Sequence, residues 1–204
     1  MACYIFGAGE MTALHRRPQP GDYVIAADGG WSTCCAVGLV PDLLLGDFDS
    51  LADLPSGVAV ERHPVEKDDT DMMLAIKRGL ALGHEEFHLY GGMGGRRTDH
   101  TIANLQALLY LARHGARGWL YGQGEVYTAI HNNTAVFPVR ERGILSVFCL
   151  GEEARGVTIH GAQYEVTDAM LTADFPLGVS NHFVGKEVEI SVCDGSLLIG
   201  LLDE

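Results

Sequence analysis

Short apolar runs and helix-spaced apolar residues alternate along roughly the first 120 residues of the chain. Cys3–Phe6, Tyr23–Ala27, Leu43–Leu45 and Phe87–Tyr90 are continuous apolar runs, the pattern of strands buried on both faces. Val58–Arg62 alternates, and Trp119–Tyr121 closes the series. Between the runs, a short helix is expected through Ala36. A second carries Met72, Met73, Ala75, Ile76 and Leu80 on helical spacing and ends at Gly83. A third, long helix runs from Thr101 to about His114, with Gly115 as its stop. Strand and helix in alternation predict a parallel sheet covered by helices.

The rhythm changes near Asn132-Asn133. The runs Ala135–Val139, Ile144–Leu150, Val157–Ile159, Tyr164–Val166, Val188–Val192 and Leu197–Leu201 are short and β-rich, with turn residues such as Asp194-Gly195 between them. The expected organisation is an α/β domain over residues 1–130 with a Rossmann-like parallel sheet, then an all-β sandwich over residues 135–204. A sandwich that small is expected to lean on a partner surface.

At 47% hydrophobic and 20% charged residues the chain has the apolar mass for a real core. The 27 acidic against 14 basic residues give a formal charge of −13, which argues against a general nucleic-acid or membrane-surface binder. A polyphosphate ligand would need cations to approach such a protein. The five cysteines are odd in number and form no C-x-x-C pair, as expected of a reduced, cytoplasmic protein. The start shows no signal peptide, no run reaches membrane-spanning length, and the nine histidines do not predict a zinc site.

Ligands of open parallel sheets bind beyond the carboxyl ends of the strands. Three acidic turns and one basic turn fall at such ends: Asp28-Gly29-Gly30, Asp47-Phe48-Asp49, Asp68-Asp69-Thr70-Asp71, and Gly91-Gly92-Met93-Gly94-Gly95-Arg96-Arg97-Thr98-Asp99-His100. The last brings backbone N–H groups and a helix start to an anion, with Arg96 and Arg97 able to add forked bonds to phosphate. Asp99 beside a phosphate requires a cation or a proton transfer. The bland alternative is a tight turn capped by Thr98 or Asp99. Asp47 and Asp49, on one turn taken as extended, suit magnesium. Asp68 can instead be an ordinary helix cap, and Asp28 a cap or a ligand. His100 and Asn104 share one helix face and either touch a nucleotide or face solvent. Gly7-Ala8-Gly9 is half of a dinucleotide fingerprint, with Thr12 where the third glycine belongs, and is not taken as a nicotinamide site.

In combined order and spacing, these segments resemble the thiamine pyrophosphokinase family. They are joined by Lys67-Asp68-x-Thr70-Asp71, by Asn104 four residues beyond His100, and by the later Gly161-x-x-Tyr164 and Gly178-x-Ser180-Asn181. The resemblance implies pyrophosphoryl transfer from ATP to the hydroxyl of thiamine, with AMP as second product. It also implies a homodimer of an α/β domain plus a β-sandwich, with thiamine bound between subunits. By the same resemblance Asp47, Asp49 and Asp71 hold Mg²⁺. Asp28, Lys67, Gly94, Arg97, Asp99, His100 and Asn104 line the ATP side, and Ser180 and Asn181 meet thiamine. Asp71 or Asp99 can take the hydroxyl proton. Some members stack a β-domain tryptophan on thiamine. Here Trp31 and Trp119 both lie in the first half, which leaves Tyr164, Phe175 or Phe183 for that place. Two other readings use the same residues: a D-x-D glycosyltransferase, and a non-catalytic thiamine or nucleotide binder.

Overall fold

The continuous apolar runs become the central strands of a parallel sheet. The computed structural model describes residues 1–204 except Thr12, 49–56, Val65, Lys67, Gly95, Arg96 and Glu204. The chain divides into one unit of Met1–Ala107 with Gly118–Gln123, and another of Leu108–Arg117 with Gly124–Glu204. In the first unit lie β1 (Cys3–Phe6), β2 (Tyr23–Ala27), α1 (Gly30–Ala36), β3 (Leu43–Gly46), β4 (Ala59–Arg62), α2 (Asp71–Ala81), β5 (Glu86–Tyr90), the start of α3 (Thr98–Arg113) and β6 (Arg117–Tyr121).

The strand order is β6-β5-β1-β2-β3-β4. β1 pairs in parallel with both β2 and β5, and β3 joins β2 to β4 in the same sense. The four apolar runs, broken only by His88 in β5, thus occupy the centre, where both faces are covered, and the alternating run forms the exposed edge β4. The chain winds outward from β1 to β4, then returns to β5 on the other side of β1. That reversal opens a crevice beyond the carboxyl ends of β1 and β5, where such sheets hold ligands.

Helix α2 is positioned by its cap and its apolar face. Thr70 Oγ1 accepts from Met73 N at 3.2 Å, so Thr70 is the cap and Asp68 is not. Met72, Ala75, Ile76 and Gly79 turn inward. A Cβ on Gly79 would stand 2.5 Å from the Phe87 ring, which sets how closely α2 lies on β5.

One sheet face carries a column of rings. Phe6 stacks on Tyr90 (centroids 5.2 Å apart), Tyr90 on Tyr121 (4.5 Å), and Tyr4 on His88 (4.6 Å). Tyr90 Oη accepts from Arg16 N and donates to Arg16 O, which ties the segment before β2 to the column. His88 is fully buried, with Nδ1 2.8 Å from Tyr121 Oη and Nε2 3.2 Å from Glu86. Burial drives its pKa down to about 4, against a smaller upward pull from Glu86. The native state therefore binds fewer protons than the unfolded chain between the ordinary histidine pKa and about 4. The stability tied to neutral His88 is complete above pH 6.5 and falls as pH drops through that window, by up to about 3 kcal/mol. Urea unfolding at pH 7 and at pH 4.5 is expected to show this loss, and His88→Phe to remove most of it. An equal pH dependence in that variant would assign the acid lability to other groups.

The second unit holds β7 (Glu125–His131), β8 (Thr134–Arg140), β9 (Ile144–Cys149), β10 (Glu153–His160), β11 (Val166–Thr172), β12 (Gly178–His182), β13 (Lys186–Ser191) and β14 (Ser196–Leu202). Its strands run antiparallel in the orders β12-β9-β14-β7 and β11-β10-β13-β8. Leu145, Val147, Val157, Ile159, Val188, Ile190, Leu197 and Ile199 are buried. Sequence patterning misses β7 and β12, whose polar residues pair through the backbone ladder. It also starts a strand at Tyr164, whereas β11 begins at Val166 and runs on to Thr172. Among the described residues no helix is long and apolar enough to cross a membrane.

Candidate functional site

A cleft of about 540 Å³ lies at the strand ends of the first unit. Its walls come from the turns after β1, β2, β3 and β5 and from the starts of α2 and α3. Asp28, Asp47, Asp71, Gly94, Arg97, His100 and Asn104 all line it. Four segments separated in sequence, the turns after β2 and β3, the start of α2, and the stretch from the β5 turn into α3, thus deliver the predicted residues to one place. Asp49 and Lys67, and likewise Arg96, lie outside the described residues.

The floor depends on an approach only glycine allows. Gly7 N donates to Tyr90 O at 2.8 Å, and Gly9 N to Gly91 O at 2.9 Å. A Cβ on Gly9 would stand 2.5 Å from Gly91 O, and one on Gly91 2.5 Å from Gly7 O. The two N–H groups of the Gly7-x-Gly9 half-motif are therefore spent on closing β1 against β5. These glycines shape the cleft, a role the sequence pattern signals only as a Gly-x-Gly directly after a strand. Sequence reasoning also passed over Met72 and Met93, which give the cleft apolar surface.

The acidic side is less uniform than its spelling. Asp69 is taken up by Lys77, whose Nζ donates to both carboxylate oxygens at 2.8 and 2.7 Å. Lys77 thus relieves part of the crowding among Asp68, Asp69 and Asp71 that spoke for a cation. Asp71 opens α2 and lines the cleft beside Asp47 and Asp28. These are hard oxygen donors, the kind magnesium takes together with phosphate oxygens and water. Among the described residues no three acidic, histidine or cysteine side chains come together as a metal cage. Phe48 is not extended as expected between Asp47 and Asp49: it has φ +60°, and its ring is buried in the core.

On the basic side Arg97 grips Asp99. Nε reaches Oδ1 at 2.9 Å and Nη2 reaches Oδ2 at 2.7 Å. The fork pulls the Asp99 pKa down to about 2, so a paired Asp99 is a weak proton acceptor. Both side chains are solvent-exposed, and such a pair is readily exchanged for a better anion. The expectation that Arg97 acts on phosphate rather than on Asp99 thus meets a structure in which it holds Asp99. Neither Thr98 nor Asp99 precedes α3 as a cap; both lie in its first turn. Asn104 is buried and donates from Nδ2 to Gly92 O at 2.7 Å.

In the second unit Asn181 is also buried. Its Oδ1 accepts from Tyr164 N at 2.9 Å and its Nδ2 donates to Tyr164 O at 2.7 Å. Asn181 thereby fixes the turn that presents the exposed Tyr164 ring. Ser180 takes φ +59° and donates its N–H to Ser146 Oγ at 3.2 Å. Phe183 is buried under the Arg140 guanidinium and is not available for stacking, whereas Phe175 is exposed.

Comparison with known proteins gives the family and the fold. The model of the thiamin pyrophosphokinase catalytic domain matches residues 17–120, and that of the thiamin pyrophosphokinase vitamin B1 binding domain matches residues 134–197. The thiamine pyrophosphokinase of Bacillus subtilis (strain 168) is 25% identical over 189 residues, covering 86% of this chain and 85% of that protein. Among solved structures, thiamine pyrophosphokinase from Bacillus subtilis superposes with a TM-score of 0.90 at 21% identity, over 100% of both chains. The Geobacillus thermodenitrificans structure gives 0.86 at 23% identity, over 100% of this chain and 98% of the other. The yeast structure gives 0.72 at 15%, over 99% and 86%.

Proposed function

The chain belongs to the thiamin pyrophosphokinase family, and from that premise we propose that it transfers the pyrophosphoryl group of ATP to the hydroxyl of thiamine, giving thiamine diphosphate and AMP. The observation that carries the reading is the convergence of Asp28, Asp47, Asp71, Arg97 and a glycine-built turn on one cleft. Phosphoryl transfer asks a protein for positioning and charge neutralisation more than for covalent chemistry.

Asp47 and Asp71, with Asp49, are the proposed holders of Mg²⁺, which when bound neutralises charge on the phosphates. Arg97 leaves Asp99 to bind phosphate oxygens through its fork, His100 lines the same cleft, and Lys67 is assigned to the ATP side by the family resemblance alone. Asp71 is the favoured proton acceptor for the thiamine hydroxyl, because it lines the cleft. On the thiamine side the proposal keeps Ser180 and Asn181. It gives the stacking ring to Tyr164, whose backbone Asn181 clamps from both sides.

A homodimer is proposed as the working unit, with the cytoplasm as its compartment. Val136, Val139, Met170, Phe175 and Leu177 are exposed on the second unit, and a shared face would cover them. Sedimentation at working concentration is expected to give twice the 22.0 kDa chain mass; a monomer would rule the dimer out.

Enzyme incubated with ATP and Mg²⁺ tests the reaction. AMP is expected to accumulate only when thiamine is present, and a panel of UDP-sugars to stay intact. Hydrolysis of a UDP-sugar would favour a glycosyltransferase, and binding of ATP and thiamine without turnover would leave only a binding protein.

A further inference from the structure

The turn after β5 presents three successive carbonyls, and each is held by a donor of the scaffold: Tyr90 O by Gly7 N, Gly91 O by Gly9 N, and Gly92 O by Asn104 Nδ2. The first two bonds come from the backbone of the segment following β1. The third comes from a single side chain, in the second turn of α3, that is only 6% exposed and 2.7 Å from its acceptor. In a planar trans peptide the N–H points opposite to the preceding carbonyl. Fixing Gly92 O therefore fixes the Met93 N–H in the opposite direction, in a turn whose residues Gly91 to Gly94 line the cleft. Gly92 has no side chain to resist rotation of that peptide, and it cannot gain one. A Cβ there would stand 3.0 Å from Asn104 Nδ2 and 2.9 Å from Leu120 Cδ1. The residue that leaves the peptide free to turn is thus the residue that makes room for the amide that holds it.

The geometry points to Asn104 as a positioning residue that locks the Gly92–Met93 peptide, so that this turn offers an N–H rather than a carbonyl oxygen to the phosphates of the nucleotide. The inference rests on the reading of the cleft as a triphosphate site, and it changes the part assigned to Asn104 from nucleotide contact to brace. Without the brace, rotation of the peptide exchanges a donor for an acceptor beside an anion, which loses one hydrogen bond and adds a repulsion.

Inorganic tripolyphosphate separates the two parts, because it carries the phosphates without base or ribose. Wild type, Asn104→Asp and Asn104→Ala are titrated calorimetrically with ATP and with tripolyphosphate, each with Mg²⁺. The Asp variant is isosteric and sets a second oxygen against Gly92 O. It keeps the test available should the Ala variant fail to fold. Both ligands are expected to weaken by the same factor, about tenfold or more for the loss of a hydrogen bond to a charged group. The KM for ATP is expected to rise while that for thiamine stays unchanged, and the melting temperature to fall only as far as the loss of one buried hydrogen bond requires. ATP weakened with tripolyphosphate unaffected would overturn the inference, because Asn104 would then touch the nucleoside. Unchanged affinity for both would overturn it as well, leaving Asn104 a scaffold residue. Failure of the wild type to bind either ligand would instead overturn the triphosphate reading on which the inference stands.

Discussion

Asp47→Asn and Asp71→Asn, made separately, are each expected to lower thiamine diphosphate formation about a hundredfold or more, on the scale of removing one preorganised electrostatic group. Both side chains line the cleft, and both belong to turns that the sheet delivers to its carboxyl edge. The amide keeps the size and loses the charge, so it can neither neutralise a cation nor accept the hydroxyl proton. The fold should tolerate both changes. Asp71 contributes as a first-turn acid on α2, worth roughly 0.3–1 kcal/mol, and Thr70 still caps the helix. Asp49→Asn belongs to the same prediction through the D-x-D pattern. Turnover within a few-fold of wild type in the Asp47 and Asp71 variants, with Mg²⁺ still required, would remove both from the proposed metal site.

Gly91→Ala is the change expected to cost most in stability. Gly91 has φ +64°, and an added Cβ would meet Gly7 O at 2.5 Å and Gly9 O at 3.1 Å. Neither obstacle is a side chain that can swing aside. The left-handed backbone costs an alanine about 1–2 kcal/mol, and forcing β1 and β5 apart adds about 1–3 kcal/mol. A loss of about 2–5 kcal/mol is a large share of the 5–15 kcal/mol typical of a folded domain. The same displacement opens the floor of the cleft, so activity should fall even where the variant remains folded. Gly94→Ala is the control. Its φ is +76° with open space around the Cβ position, so it should show only the smaller backbone cost. Equal melting temperatures for Gly91→Ala and wild type would mean that the close approach of the two strand ends is not needed.

The sheet was legible because burial on both faces forces uninterrupted apolar runs, as in Cys3–Phe6 and Leu43–Leu45. The convergence of the site was legible for a topological reason: in a parallel sheet every strand end that carries a turn residue faces the same edge. The second unit was harder to read. β12, with the sequence Gly-Val-Ser-Asn-His, earns its place by pairing with β9 and by the hydrogen bonds of Asn181, neither of which leaves an apolar period. Partnerships among charged residues were not legible either. Asp69 finds Lys77 two helical turns on, and Arg97 finds Asp99 two residues away, and in both cases the spacing alone also allowed a ligand. His100 and Asn104 share a helix face as the four-residue spacing predicts. Yet Asn104 is buried, because Gly92 leaves space for it in a turn distant in sequence.

The central claim is that this cleft moves the β and γ phosphates of ATP together onto thiamine in a single transfer. ATP labelled in its β-phosphorus, incubated with enzyme, Mg²⁺ and thiamine, tests it most directly. All transferred label is expected in thiamine diphosphate, with unlabelled AMP formed one for one with it and neither formed without thiamine. Label retained in ADP, with thiamine carrying a single phosphate, would contradict it.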